Sequence, residues 1–371
     1  MRILVIFGTR PEAIKLCPLV LALRAHSQLE VKVCVTAQHR FLLDQVLEAF
    51  DVRPDYDLDL MRPRQSLFES TSRILIGLEP VLATEQPALV IVQGDTTTTF
   101  CGALAAFYRK IPVAHVEAGL RTGDMRQPFP EEMNRVLAAR LAALHFAATE
   151  RARRNLVHEG IAPASIEVTG NTAIDALFYV CYGLEQGTLQ GGDWPFLAPG
   201  KKLILVTTHR RESFGGPMEA ICTALARLAE RSDVQIVFPV HPNPHVQEPV
   251  RGRLQELDNV HLLEPLAYVP FVDLMRRAYL LLTDSGGIQE EGPSLGKPVL
   301  VMREKTERPE AVEAGTVRLV GANPQRILEE ACLLLDNEEE HRIRSRMHNP
   351  YGDGQACGRI VRRIVSELGP R

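Results

Sequence analysis

The chain has no two cysteines close together. Its seven, Cys17, Cys34, Cys101, Cys181, Cys222, Cys332 and Cys357, are scattered, and no CxxC occurs. An odd, widely spaced set argues against a disulfide framework and against a zinc site. Such residues read as small core side chains in a reducing compartment. HExxH is missing as well, so no metal is expected. The chain also lacks a Walker pattern and a GxGxxG, so neither ATP hydrolysis nor NAD binding is indicated. No apolar run approaches membrane-spanning length. The opening run ends at Gly8, too early for a signal-peptide core. A cytoplasmic protein without membrane insertion follows as the expectation. Positive charge is not in surplus: the formal net charge is -4. Nucleic acid, which needs a basic surface, is therefore not an expected partner. Neither an internal repeat nor a low-complexity tract is visible.

What is present is an alternation. Short runs rich in Val, Ile and Leu fall at 3–7, 31–35, 89–92, 113–116, 144–147, 203–206, 235–240, 280–282 and 298–302. Most show no polar alternation, as strands buried on both faces of a parallel sheet do. Helix-compatible segments lie between them, at 67–82, 99–109, 131–141, 217–230 and 324–335. The class implied is α/β with open parallel sheets. At 371 residues the chain is comfortable as two domains. The pattern restarts near Lys201, after a Gly/Pro-rich stretch at 189–200 that reads as a linker or excursion. Two doubly wound domains with a crevice between them are expected, the first ending near Thr169.

In such sheets ligands bind beyond the carboxyl ends of the strands. The unusual polar residues stand there. Run 3–7 leads into GTRPEAIK, 89–92 into QGDT, 113–116 into EAGLR, 203–206 into TTHRRES, and 235–240 into HPNP. Run 280–282 leads into Asp284-Ser285-Gly286-Gly287 and then a helix-compatible segment carrying Glu290 and Glu291. Strand, glycine turn and helix start make a phosphate cradle, because free N–H groups and the helix dipole meet the anion. Glu291, more than a turn farther on, is placed to accept from a ribose diol.

Each of these residues has a plainer reading. Arg10, just before Pro11 at a helix start, is either a bidentate pyrophosphate ligand or a surface ion-pair residue. Lys15, about one turn on, adds charge to either. Asp95, Glu117 and Glu131 are either acid/base groups or, for Asp95, a cap on the threonine-rich segment and, for Glu131, a favourable helix-start acid. His209 either serves a leaving phosphate or is structural. His241 is either a ligand-facing histidine or a turn residue.

Taken together, GTRPEAIK (8–15), QHR (38–40), QGDTTTT (93–99), HVEAGLRTGD (115–124), PEEMNR (130–135), THRRES (208–213), HPNP (241–244), DSGGIQEE (284–291) and ERPEA (307–311) closely resemble the non-hydrolysing UDP-N-acetylglucosamine 2-epimerases. The match runs in order from residue 3 to NPYGDG at 349–354. The resemblance implies a GT-B fold: an N-terminal Rossmann-like domain, 1–169, joined by a returning helix, 356–371, and a C-terminal UDP-binding domain, 170–355. It implies reversible exchange of UDP-GlcNAc and UDP-ManNAc through loss of UDP, a 2-acetamidoglucal and re-addition, without NAD or metal, feeding cell-surface polysaccharide synthesis. It assigns chemistry to Asp95, Glu117, Glu131 and His209. Substrate binding falls to Arg10, Lys15, Phe271, Ser285, Gly286, Gly287, Glu291 and Arg308. It also implies a second, activating UDP-GlcNAc site; Gln38, His39, Arg40, Gln65, Glu132, Arg135, Arg211 and His241 are assigned to it. A homodimer is expected. One position departs from the family pattern: Leu266 stands where a Gln near the uracil is expected. The rival readings are a GT-B glycosyltransferase, a hydrolysing epimerase and a UDP-sugar-binding regulator. An acceptor sugar, release of free ManNAc, or absence of turnover would mark each in turn.

Overall fold

The computed structural model describes residues 1–36, 40–60, 62 and 65–369, without the side chains of residues 40–42 and 211. The elements, in chain order, are β1 (Arg2–Phe7), α1 (Arg10–Arg24), β2 (Glu30–Val35), α2 (Arg40–Ala49), β3 (Tyr56–Asp57), α3 (Leu67–Glu85), β4 (Leu89–Gln93), α4 (Thr97–Tyr108), β5 (Val113–Ala118), α5 (Glu131–Leu141), β6 (Leu144–Ala147), α6 (Glu150–His158), β7 (Ile166–Val168) and α7 (Thr172–Gln186). They continue with β8 (Lys202–Thr207), α8 (Gly216–Ala229), β9 (Val234–Pro239), α9 (Pro244–Leu254), β10 (Val260–Leu263), α10 (Tyr268–Arg277), β11 (Leu280–Thr283), α11 (Gly286–Ser294), β12 (Val299–Val301), α12 (Pro309–Glu313), β13 (Val317–Leu319), α13 (Pro324–Asp336), α14 (Glu338–Ser345) and α15 (Ala356–Leu368).

Two compact units result. One comprises Met1–Tyr179 with Tyr351–Arg371, the other Val180–Pro350. The division falls inside α7, ten residues beyond the Thr169 boundary read from the sequence. The reason is local. Ala173, Ile174, Ala176 and Leu177 of the helix's first half are buried, and Asp175 accepts the N–H groups of Ala356 and Cys357 at the start of α15. That half of α7 is therefore tied to the first unit's own C-terminal helix, and α15 also packs on α1.

The first unit holds a seven-stranded sheet, β3-β2-β1-β4-β5-β6-β7, and the second a six-stranded sheet, β10-β9-β8-β11-β12-β13. Every strand pair is parallel. Ile3 to Phe7 of β1 are fully buried, as are Ile236, Val237 and Phe238 of β9. This explains the unbroken apolar runs: helices cover both faces, so no strand needs a polar side. In each sheet the chain order reverses at one place, between β1 and β4 and between β8 and β11. Loops diverge there and leave a recess at the strand ends. Those four strands are the ones that deliver Arg10, Asp95, His209 and Ser285.

The stretch 189–200 is part of the second unit. Trp194 Nε1 donates to Asp273 at 2.8 Å, and Gln235 accepts the N–H of Ala198 at 2.9 Å. It is a packed excursion. Six of the seven cysteines are buried and all are free, as expected of core residues.

Candidate active site

In the first unit the loop after β1 starts α1 with a capping box. Thr9 accepts from the Glu12 N–H, and Glu12 accepts from the N–H groups of Gly8 and Thr9. Arg10 is the first helical residue, at the end of β1. Lys15 lies a turn farther on, its Nζ 2.5 Å from Glu117 Oε2. Gln93, which ends β4, donates to the same oxygen at 2.7 Å.

Glu117 is held in the left-handed region, with φ of +60°. A non-glycine residue there is strained by about 1–3 kcal/mol, a cost that surrounding structure must offset and that clusters at functional sites. The β5–β6 register shifts between Val116 and Ala118, around this residue.

Asp95 follows Gly94, whose φ of +72° suits glycine. Thr96 is the cap of α4, accepting from the Thr99 N–H, so the cap reading of Asp95 is corrected. Its carboxylate instead meets Arg135 of α5 at 2.5 Å, and its carbonyl accepts from Asn134 at 2.9 Å. Burial pushes its carboxyl above the ordinary range; Arg135 opposes this and the charge of Glu117 adds to it. A carboxyl raised next to a second, cation-paired carboxylate is a means of dividing acid and base roles. His115 fixes the turn from below, its Nε2 2.7 Å from the Gly94 carbonyl. Fully buried, it is pushed down to about 4 and stays neutral. Glu131 is the first residue of α5 and is partly buried.

In the second unit Ser285 caps α11 by position but makes no side-chain capping bond. The helix opens with Gly286. A Cβ placed on Gly286 would meet Arg210 NH2 at 3.6 Å and Arg308 NH2 at 3.7 Å. Two guanidinium groups therefore flank a helix start without a side-chain cap, where partial positive charge and unspent N–H groups favour an anion. Arg308 is oriented by Glu290, and Arg210 lies 3.5 Å from Glu307. Glu291 is buried and accepts from the Tyr268 hydroxyl at 3.1 Å. Phe271 is on α10, and Leu266 is in the loop just before it; both are partly buried. His209 follows β8 with Nδ1 3.2 Å from the buried Asp284. His241, at the end of β9, is brought into electrostatic contact with His209 and Asp284. Among the described residues no cluster suited to a metal ion occurs.

A sequence profile described as UDP-N-acetylglucosamine 2-epimerase matches residues 21–365. The chain belongs to that family. It is 59% identical to the UDP-N-acetylglucosamine 2-epimerase of Escherichia coli K12 over 97% of each chain. The Neisseria meningitidis enzyme, solved with UDP-GlcNAc bound, is 48% identical with a TM-score of 0.91, over 99% of this chain and 100% of that one. The Methanocaldococcus jannaschii enzyme, solved with UDP-GlcNAc and UDP, is 35% identical with a TM-score of 0.81 over the same shares. The two Rossmann-like sheets are thus the GT-B architecture of these epimerases.

The residues assigned to a second epimerase ligand fare differently. Gln38 and His39 lie outside the described residues, as do the side chains of Arg40 and Arg211. Gln65 accepts the N–H of Arg62 at 3.2 Å. Glu132 is buried and accepts the N–H groups of Thr122 and Gly123, each at 3.0 Å. Arg135 reaches both Glu132 and Asp95. The structure therefore joins Glu132 and Arg135 to the Asp95 cluster and His241 to the His209 loop. The sequence reading assigned no role to Glu12 and His115 in the first unit, or to Arg210, Asp284 and Glu290 in the second, although each shapes a candidate strand end of its own unit. Asp284 had a signal, an acid ending an apolar run. Glu12 had another, the third residue after Thr9, the spacing of a capping box.

Proposed function

We propose that this chain interconverts UDP-GlcNAc and UDP-ManNAc by eliminating and re-adding UDP. A base takes the C2 proton, its electron pair forms the C1=C2 bond, and the C1–O bond breaks with its pair leaving on UDP. Re-addition to the 2-acetamidoglucal, with the proton delivered to the opposite face of C2, gives the epimer. No net oxidation occurs. The C2 hydrogen is too weakly acidic for a carboxylate alone, so loss of UDP from C1 must assist. Asp95, Glu117 and Glu131 are the candidate acid/base groups. Arg10 and His209 meet the charge that develops on the leaving diphosphate. Lys15 pairs with Glu117. The diphosphate lies on Ser285, Gly286 and Gly287 between Arg210 and Arg308, the ribose on Glu291, and the base near Phe271 and Leu266.

The observation that carries this reading is the cradle at Gly286: a helix start without a side-chain cap, between two guanidiniums, in a chain of this family. Incubation with UDP-GlcNAc alone in D2O, followed by NMR, tests it. UDP-ManNAc should appear with deuterium at C2 in both sugars. Full retention of the C2 hydrogen would sink the elimination route.

We place the enzyme in the cytoplasm, supplying ManNAc units for cell-surface polysaccharide. Seven free cysteines support a reducing compartment. Activation by a second UDP-GlcNAc is also proposed, through Gln38, His39, Arg40, Gln65, Glu132, Arg135, Arg211 and His241. It predicts a lag from pure UDP-ManNAc that traces of UDP-GlcNAc abolish. A homodimer is proposed as well. Phe68, Ile76, Phe107 and Tyr108 of α3 and α4 are exposed, and such apolar surface favours a partner. Light scattering on the purified chain decides it.

A further inference from the structure

Asp284, directly after β11, is fully buried. Its carboxylate collects donors from the loop after β8. The His209 N–H lies 3.1 and 3.0 Å from its two oxygens, the Arg210 N–H 3.0 Å away, and the Ser213 hydroxyl 2.9 Å away. His209 Nδ1 approaches Oδ1 at 3.2 Å. A carboxylate oxygen at that distance repels a bare ring nitrogen, so the contact favours a hydrogen on Nδ1. The charged form is the one this setting keeps. Burial alone would push the carboxyl up, but the pairing with His209 and the backbone N–H groups outweigh it and hold the group below the ordinary range.

His241, after β9, provides a contrast. Its Nδ1 accepts the N–H of Asn243 at 3.2 Å. In neutral His241 the proton is therefore on Nε2, the reverse of His209.

We propose that Asp284 is the positioning residue of the leaving-group acid: it fixes the His209 ring as the Nδ1–H tautomer, so that Nε2 is the atom that exchanges a proton with the departing diphosphate. The inference rests on the reading of His209 as the group that meets that phosphate. In the elimination direction His209 is the imidazolium. As C1–O breaks, its electron pair goes to the phosphate oxygen, and the Nε2 proton passes to that oxygen. The ring becomes neutral with Nδ1–H still on Asp284. Re-addition reverses each transfer, so proton and charge balance over the cycle. Asp284 stabilises the imidazolium without itself taking a proton, and it also holds Arg210 beside Gly286 by the same carboxylate. Among the described residues, Asp284 after β11 and His241 after β9 are the titratable groups that act on the His209 ring.

The test is nitrogen NMR on the full chain labelled with 15N-histidine, at a pH where His209 is neutral. His209→Gln assigns the His209 signals by their loss. The expected spectrum has His209 protonated at Nδ1 and bare at Nε2, with His241 reversed as an internal control. Asp284→Asn should move His209 toward the Nε2–H form that free imidazole favours. If that variant does not fold, the parent spectrum decides alone. An Nε2–H tautomer at His209 in the parent overturns the inference, whatever the turnover. Kinetics tests the underlying reading separately. His209→Gln keeps an N–H near the Nε2 position, and His209→Asn keeps one near Nδ1. The Gln variant should retain at least tenfold more kcat than the Asn variant, both below the parent. Equal losses in the two overturn the assignment to Nε2. Parental turnover in both removes His209 from the reaction while the tautomer result stands.

Discussion

At the strand ends of the seven-stranded sheet the groups offered for chemistry are acids, Asp95 and Glu117, each met by a base, Arg135 and Lys15. At those of the six-stranded sheet they are bases, Arg210 and Arg308, each met by an acid, Glu307 and Glu290. Both sheets have the same parallel order and the same reversal, so topology does not make the difference. Backbone and counter-charge do. The first sheet has a strained Glu117 and a raised Asp95, both features of groups that move protons. The second has an α11 start without a side-chain cap, a feature of a site that holds a fixed anion. One scaffold has been given two kinds of strand end, one with acids paired to cations and one with guanidinium groups beside a helix start that has no side-chain cap.

The largest effect should come from breaking the acid side. Glu117→Gln keeps shape and removes the charge paired with Lys15. If Glu117 is an acid/base group, kcat should fall by about 10²–10⁴-fold, the usual worth of such catalysis. UDP affinity, measured by calorimetry, should stay near that of the parent. A matching loss of UDP affinity would mean the two sheets do not divide the work in this way.

Acid should expose the same asymmetry in stability. Folded His115 titrates at about 4 against an ordinary 6.5. Between those values the unfolded chain binds the proton and the folded one does not, so falling pH favours unfolding. The stability is complete above 6.5 and is lost progressively down to 4. For a shift of this size the total is about 3 kcal/mol. Urea unfolding of the parent and of His115→Phe at several pH values should show a flatter acid limb in the variant. Identical limbs would remove His115 as the cause.

Next comes the base side. If Arg308 holds the diphosphate, Arg308→Ala deletes a charge-assisted contact worth about 1.5–3 kcal/mol. UDP should bind about 10- to 100-fold more weakly by calorimetry. Arg308→Lys should recover only part of this, since a point charge lacks the guanidinium fork. Full recovery would show that charge alone matters there.

The smallest effect is expected at Glu291. Glu291→Ala should weaken UDP by no more than about 1.5–3 kcal/mol, and less to the extent that Tyr268 already occupies the carboxylate. Deoxyuridine diphosphate should show a reduced penalty in the same variant. Unchanged UDP affinity in a folded Glu291→Ala variant would make the residue structural and leave the phosphate cradle as the main hold.

Much of the fold was legible in order. The buried runs at 3–7, 89–92, 113–116 and 203–206 became β1, β4, β5 and β8 within a residue or two. Three of the shortest strands were not legible. Tyr56–Asp57, Ile166–Val168 and Val317–Leu319 are too short to show a period, and they exist because a neighbouring strand offers hydrogen bonds. Asp95, Glu117, His209 and the Ser285–Gly287 turn were expected at strand ends, and the structure has them at or next to the ends of β4, β5, β8 and β11. Arg135 was read as a second-site residue, because nothing local says that it reaches an acid forty residues earlier in the chain.

By itself, then, the sequence determined the parallel α/β class, the strand ends that bear charged and polar residues and the family. Hydrophobic runs, glycine turns and helix starts are local properties, written within a few neighbouring residues. Only the tertiary structure decided which charges neutralise which. Lys15 meets Glu117 across 102 positions and the His209 N–H meets Asp284 across 75. The positive φ of Glu117 and the attachment of α15 to α1 and α7 belong to the same class. Such pairings carry no periodic signal, because burial and proximity select a partner only after the chain has folded.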